Sequence, residues 1–172
     1  KDKTICPSSA LILKHFFQTL NKNNTSEKYK TTLEATHHGP YIETPSLFIE
    51  IGSSPNEWKD EEIGKIIAET IIEATETKPK KSDIAFGIGD PHYCPNFNPI
   101  QLNNKFALSH IIAQYALPIT EQMITEAISK TTEEVKYAII DWKGLGKAKD
   151  REQTLEVLKN FDLKVIKTQD AK

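Results

Sequence analysis

The chain has 172 residues, enough for one domain with a substantial core. Its 22 Lys and Arg against 24 Asp and Glu leave a formal net charge of -2, which excludes a broad basic face and makes any contact with nucleic acid a local one. Two cysteines, Cys6 and Cys94, do not make a disulfide framework and fit a reducing, cytoplasmic setting; no apolar run approaches the ~18–20 residues of a membrane span, and no signal-peptide pattern opens the chain.

The sequence starts at Lys1-Asp2-Lys3 without an initiating Met, as a fragment or a processed piece would. Thr4-Ile5-Cys6 reads as the tail of a strand. Ser9 offers N-cap chemistry, and Leu13, Phe16, Phe17 and Leu20 at helical spacing predict a helix over 9–21. A polar loop leads to a strand over 29–37, stopped by Gly39-Pro40. Neighbours on a strand face opposite sides, so the adjacent His37 and His38 share a cleft only if they sit where the strand ends; otherwise one is half-buried and the other solvated. A second strand follows over 47–51, and Glu50 within its apolar run either finds a partner inside or reaches solvent at an edge. Ser54 at N-cap, Pro55 at N1 and Glu57 at N3 predict a helix from there to about residue 75, with Ile63, Ile66, Ile67, Ile71 and Ala74 inward.

A third strand is predicted over 83–88, and Gly87-Ile88-Gly89 lets the backbone approach something closely. The Asn- and Pro-rich stretch 96–104 reads as a loop. Residues 106–115 are apolar around His110 and fit strand or helix equally. Thr120 caps a short helix carrying Ile124 and Ala127. A strand over 135–140 runs into Asp141-Trp142-Lys143-Gly144, and a helix over 149–160 and a strand over 163–166 complete the pattern. Alternating strands and helices predict a single α/β layered domain over 1–172. Its sheet is expected to be mixed but mostly parallel, flanked by helices, because the link between the first two strands is too short for a parallel crossover.

Polar clusters fall at four predicted strand ends: His37-His38, Gly52-Ser53-Ser54, Gly89 to Cys94, and Asp141 to Gly144. Ligands of open α/β sheets bind beyond the carboxyl ends of strands, so this coincidence points to an enzyme. A hairpin between the first two strands would separate His37 from Ser53 and His92; an extended run over 38–45 would let them converge, and convergence is expected. His37, His38, Glu50, His92, Cys94 and His110 are all legal zinc ligands, but none has zinc-finger or H-E-x-x-H spacing. Cys94 fits a small buried hydrophobe better than a nucleophile. Ser53 and Ser54 fit either helix capping or a phosphate site. Lys143, Lys147, Lys149 and Arg151 against Asp150 form either a solvated face or, beside a cleft, a grip for an RNA backbone on which Trp142 stacks a base.

The run Glu34-Ala35-Thr36-His37-His38-Gly39-Pro40, with Phe48-Ile49-Glu50-Ile51-Gly52-Ser53-Ser54 and Glu57-Trp58, resembles the signature of the archaeal and plant type of D-aminoacyl-tRNA deacylase. Gly87 and Gly89 with His92, Tyr93 and Pro95 look like that family's glycine-rich loop, and Ser109-His110-Ile111, Tyr115, Pro118 and Asp141-Trp142-Lys143-Gly144 match in order. The resemblance implies a fold like that of peptidyl-tRNA hydrolase and nucleoside phosphorylase. It also implies zinc-dependent hydrolysis of the ester joining a D-amino acid to the acceptor end of tRNA, by a monomer. On the matching positions it implies His37, His38, His92 and Glu50 as catalytic residues. Metal would be held by these four together with His110. Substrate would be held by Gly52, Ser53, Ser54, Gly87, Gly89, Tyr93, Trp142 and Lys143. The family's additional N-terminal segment is absent, Asp90-Pro91 stands where two glycines are usual, and Cys94 replaces the usual Ala. A peptidyl-tRNA hydrolase-like esterase and a non-catalytic module binding the tRNA end or a metal are the alternatives.

Overall fold

In a computed structural model, residues 4–103 and 105–171 are described, so the opening Lys1-Asp2-Lys3 and Asn104 of the predicted 96–104 loop lie outside them. Four strands make the sheet: β1 (Asp83–Ile88), β2 (Phe106–Ile112), β3 (Tyr137–Ile140) and β4 (Lys164–Lys167). They lie in the order β2-β1-β3-β4 and every pairing is parallel. Five α-helices accompany them: α1 (Ala10–Asn23), α2 (Glu61–Glu76), α3 (Asn98–Leu102), α4 (Glu121–Ser129) and α5 (Ala148–Leu158).

Side-chain alternation on the strands divides the core into two. On β1, Ala85 faces a cluster with Phe17, Phe97, Ile100, Phe106, Leu108 and Ile111, under α1 and α3. Its neighbours Phe86 and Ile88 face Ile124, Ala127, Ile140, Leu145 and Leu158, under α4 and α5. Strands covered on both faces read as continuous apolar runs, which is why 106–112 has no alternation in the sequence and fits a helix equally well until its partner is known.

The mixed sheet is corrected to a parallel one. Residues 29–37 and 47–51 form no strand; among the described residues all sheet pairing is parallel. Residues 38–45 make no hairpin. They are held by the first residues of the chain: the Cys6 thiol donates to the Pro40 carbonyl (3.5 Å) and accepts the Ile42 amide (3.4 Å), and the Ser46 amide donates to the Pro7 carbonyl (2.9 Å). Thr4-Ile5-Cys6 is likewise no strand; a single bridge joins Ser8 to Thr131. The predicted capping box at Ser54 is also displaced. Glu57 does accept from the Ser54 hydroxyl and amide, but this closes only a 3-10 helix over Glu57–Lys59, and Asp60 caps α2 by accepting from the Ile63 amide. The α1 and α4 starts are as expected, with Ser9 accepting from Ile12 N and Thr120 from Met123 N.

Lys14 is a buried cation that periodicity does not reveal. It is 3% exposed on α1, and its ammonium donates to the carbonyls of Asn103 and Phe106, with no carboxylate among these partners. Burial lowers its pKa to about 8 from 10.5. Between those values the unfolded chain binds a proton that the folded chain does not, so this group makes stability rise as pH climbs from 8 to 10.5. Lys14→Met is expected to flatten that rise, measured as the difference in denaturation midpoint between the two proteins across this range. Among the described residues no helix is long and apolar enough to cross a membrane.

Candidate active site

The segment preceding the paired histidines is threaded onto the sheet's C-terminal edge. Leu33 (5% exposed) and Ala35 (1%) point into the core, so Glu34 between them points out. Hydrogen bonds fix the register: Leu33 N to the Asn98 side chain (2.8 Å), Ala35 N to His92 O (2.8 Å) and Thr36 N to Ile111 O (2.9 Å). Ile111 N returns a bond to the Thr36 hydroxyl (3.0 Å). The segment is thus tied to the turn leaving β1 and to the end of β2. The chain bends at Thr36, so both following histidines enter one cleft.

There His37 and His38 lie 4.0 Å apart between ring centroids, and His37 and His92 4.7 Å apart. Glu34 is the hub. Its carboxylate lies 2.6 Å from His38 Nε2, 3.4 Å from His92 Nε2 and 3.9 Å from His37 Nε2. The His37 Nδ1–H donates to the Ala35 carbonyl at 2.6 Å, which leaves Nε2 as an acceptor. Phe48 stacks on His38 at 4.9 Å, and the Tyr115 hydroxyl lies 3.4 Å from His92 Nδ1. Glu34, His37, Glu50, Gly52, Ser53, Trp58, His92 and Tyr93 line a pocket of about 430 Å³, within the ~300–1,000 Å³ typical of small-molecule sites. It adjoins a cavity of about 930 Å³, largely apolar, between α1, α2 and the 46–53 segment.

Two groups of side chains offer donor atoms mutually within 4.8 Å: Glu34 with His37 and His92, and Glu34 with His38 and Glu50. Two imidazoles and one carboxylate are the donor set of several hydrolytic zinc sites. Ligand bonds of ~2.0–2.1 Å at tetrahedral angles put donor atoms roughly 3.3–3.4 Å apart. His92 Nε2 lies 3.4 Å from one Glu34 oxygen and His37 Nε2 3.9 Å from the other, within small side-chain adjustments of that spacing, and the Ala35 carbonyl orients His37 in the way second partners orient metal-bound imidazoles. The residues present therefore fit a zinc ion.

Of the residues singled out from the sequence, the structure gathers His37, His38, His92, Glu50, Gly52, Ser53 and Tyr93 around this cleft. Others stand outside the donor groups, although His110 also lines the larger cavity. His110 is 4% exposed, with Nδ1 3.4 Å from the Thr36 hydroxyl and Nε2 donating to the Lys130 carbonyl (3.2 Å); burial lowers its pKa, and it belongs to neither donor group. Gly87 faces the Phe97 ring and Gly89 (φ 105°) faces the Asp141 carbonyl and Leu145, so their close approach is to the protein's own core. Ser54 turns to Glu57. Trp142 and Lys143 do not line the cleft.

Cys94 is fully buried, and burial pushes its thiol pKa up, so it stays protonated and is no nucleophile. The Asp90 that departs from the usual glycine is also fully buried, and burial raises its pKa. Its carboxylate accepts from the Asn96 and Phe97 amides (2.7 and 3.1 Å) and the Asn96 side chain (3.0 Å), which fixes the loop carrying His92.

Glu34 is the central residue of this cleft that spacing and inventory missed. Its signal was present, since it stands three and four residues before the paired histidines, but only the bend at Thr36 turns that into proximity. Trp58 and Tyr115 were visible only as matches to the family pattern, with no role attached.

A model of the D-aminoacyl-tRNA deacylase family matches residues 1–166. The D-aminoacyl-tRNA deacylase of Pyrococcus furiosus is 44% identical over 135 residues, covering 78% of this chain and 49% of that protein. Those of Thermococcus kodakarensis and Methanocaldococcus jannaschii are 36% and 33% identical, covering 97% and 92% of this chain and 61% and 65% of theirs. The crystal structure of a conserved protein of unknown function superposes with a TM-score of 0.89 at 28% identity, over 99% of this chain and 61% of that one. The chain thus spans between about half and two thirds of the length of the relatives it matches. With the matched span running through every residue of the cleft, this chain belongs to the D-aminoacyl-tRNA deacylase family.

Proposed function

We propose that this chain carries the hydrolytic centre for D-aminoacyl-tRNA, cleaving the ester between the amino acid's carboxyl group and the terminal ribose to release free D-amino acid and tRNA. The observation that carries this reading is the convergence of His37, His38 and His92 on one carboxylate, Glu34, in a family of tRNA deacylases. A pocket of about 430 Å³ suits the terminal aminoacyl-nucleoside, with the rest of the tRNA outside.

The acceptor Nε2 of His37 takes a proton from the attacking water as the new C–O bond forms at the ester carbonyl. Glu34 holds the resulting imidazolium by charge, and its bond to His38 keeps the carboxylate aimed into the cleft. On the cleft wall formed by Gly52 and Ser53, the Gly52 backbone looks onto open space, where the developing oxyanion has room beside amide and hydroxyl donors. Collapse expels the ribose oxygen, which takes the proton that His37 accepted from the water and so returns the imidazole to its neutral form. An alkoxide leaving group needs less acid help than an amide nitrogen, so this lean set of residues suffices. Glu34, His37 and His92 are also the residues that would hold zinc; with His37 Nε2 then taken as a ligand, the ion would supply the activation of water and the Lewis acidity toward the ester carbonyl in place of that base. The activity belongs in the cytoplasm with the charged tRNA it acts on.

The test compares D-aminoacyl-, L-aminoacyl- and peptidyl-tRNA as substrates of the natural chain, with metal analysis of the same preparation. Rapid release of D-amino acid alone is the expected result. Faster cleavage of peptidyl-tRNA would replace the reading with a peptidyl-tRNA hydrolase, and binding of the CCA end without turnover would leave a non-catalytic module.

A further inference from the structure

We infer that Lys143, Lys147, Lys149, Arg151 and Lys167 form the surface that grips the phosphate backbone of the tRNA acceptor arm beside the hydrolytic cleft. This rests on the reading above and names the part of the protein that holds the remainder of that substrate.

Position comes first. These cations follow β3 and end β4, at the same C-terminal edge of the parallel sheet as His92, which follows β1. β3 is the direct neighbour of β1, about 4.8 Å away, and β4 lies one spacing further. The loop is locked to the His92 turn: Gly144 packs against the Gly89 carbonyl so closely that a Cβ there would lie 1.7 Å from its oxygen. Strip and cleft are therefore held in one fixed relation.

Charge comes second. The nearby acids Asp141 and Asp150 are bound to amides rather than directly to the cations. Asp141 accepts from the Lys143 and Gly144 amides (3.3 and 3.2 Å) and the Asn96 side chain (3.2 Å), and Asp150 accepts from the Lys147 amide (3.1 Å). Elsewhere on the surface some lysines are paired, as in Lys22–Glu73, Lys28–Asp60, Lys136–Glu134 and Lys159–Glu156, and others, such as Lys78, Lys80 and Lys81, are in no ion pair among the described residues. Among the described residues none of the five cations of the strip is in an ion pair. On a chain whose net charge is -2, the five cations outnumber the adjacent Asp141, Asp150 and Glu152, so the strip is locally positive.

Placement comes third. The Trp142 ring carries Lys167 Nζ at 4.4 Å and the Arg151 guanidinium at 5.1 Å from its centroid, so two of the cations are positioned over a half-buried aromatic ring. The ring already carries cations, so the contribution to RNA binding proposed for Trp142 is to fix them. A cleft sized for one aminoacyl-nucleoside leaves the acceptor-arm phosphates to be held outside it, and this strip is the adjoining cationic surface.

The experiment uses the natural chain with Lys143, Lys147 and Lys149, all exposed, changed together to Gln. Binding of uncharged tRNA is measured by filter retention across a salt series, and hydrolysis is measured on D-aminoacyl-tRNA and on D-aminoacyl-adenosine. Each lost phosphate contact lowers the slope of log affinity against log salt by roughly 1, so the slope is expected to fall by about 2–3. KM for D-aminoacyl-tRNA should rise roughly tenfold or more with kcat retained, while KM for D-aminoacyl-adenosine stays within about twofold. Unchanged tRNA binding and salt slope would overturn the proposal, as would an equal rise in KM for the short substrate. Failure of the natural chain to hydrolyse any D-aminoacyl ester, with tRNA binding intact and salt-sensitive, would overturn the proposed reaction and leave the strip standing.

Discussion

Glu34→Gln is expected to lower kcat/KM for D-aminoacyl-tRNA by roughly 10²–10⁴-fold, the range associated with loss of acid–base function, while the thermal midpoint barely moves. The amide keeps the shape of the carboxylate and places an NH₂ or a neutral oxygen where three imidazoles now meet a negative charge. The 2.6 Å contact with His38 Nε2 loses its charge, and so do the longer approaches to His92 and His37. Stability should be largely spared because the core contacts of this segment come from Leu33 and Ala35, and its register comes from backbone bonds that the substitution leaves alone. Glu34 also belongs to both groups of donors that suit a metal, so zinc content per chain should fall in step with activity. Full activity and full zinc in Glu34→Gln would remove the hub from the mechanism.

Gly144→Ala should be the most damaging single methyl group in the fold. Its Cβ would sit 1.7 Å from the Gly89 carbonyl oxygen, 2.7 Å from the Gly89 carbonyl carbon and 2.6 Å from an Asp141 carboxylate oxygen. Two of these three are backbone atoms of the β1 exit, which cannot swing aside as a flexible side chain would. Separation of the loops after β1 and β3 is the only relief, and it disturbs the Asn96 bridge between Asp90 and Asp141 as well. Overpacking of this kind costs about 3 kcal/mol or more, at or above the upper end of ordinary cases. The expected result is a large drop in the denaturation midpoint together with loss of activity, since His92 rides on the displaced turn. Gly52→Ala serves as the comparison: a Cβ there meets nothing within 4 Å, and stability should be unaffected.

Local signals in the sequence determined those elements whose start or packing needs only neighbouring residues. Ser9 and Thr120 each mark a helix start because the cap bond closes within a few residues, and 83–88 and 135–140 read as strands, observed as Asp83–Ile88 and Tyr137–Ile140, because buried parallel strands are apolar throughout. The histidine and glutamate inventory was equally visible. Tertiary structure decided the rest. Residues 29–37 and 47–51 have the composition of strands, yet a strand exists only when another backbone meets it, and here side-chain anchors and single hydrogen bonds hold the first in place. Whether 106–112 was strand or helix likewise depended on β1 lying beside it. Most of all, the meeting of Glu34 with His92 depends on one backbone bond from Ala35 to the β1 exit, and its meeting with His37 and His38 on one bend at Thr36. Proximity across such a span is a property of the packed chain, and no spacing within either motif encodes it.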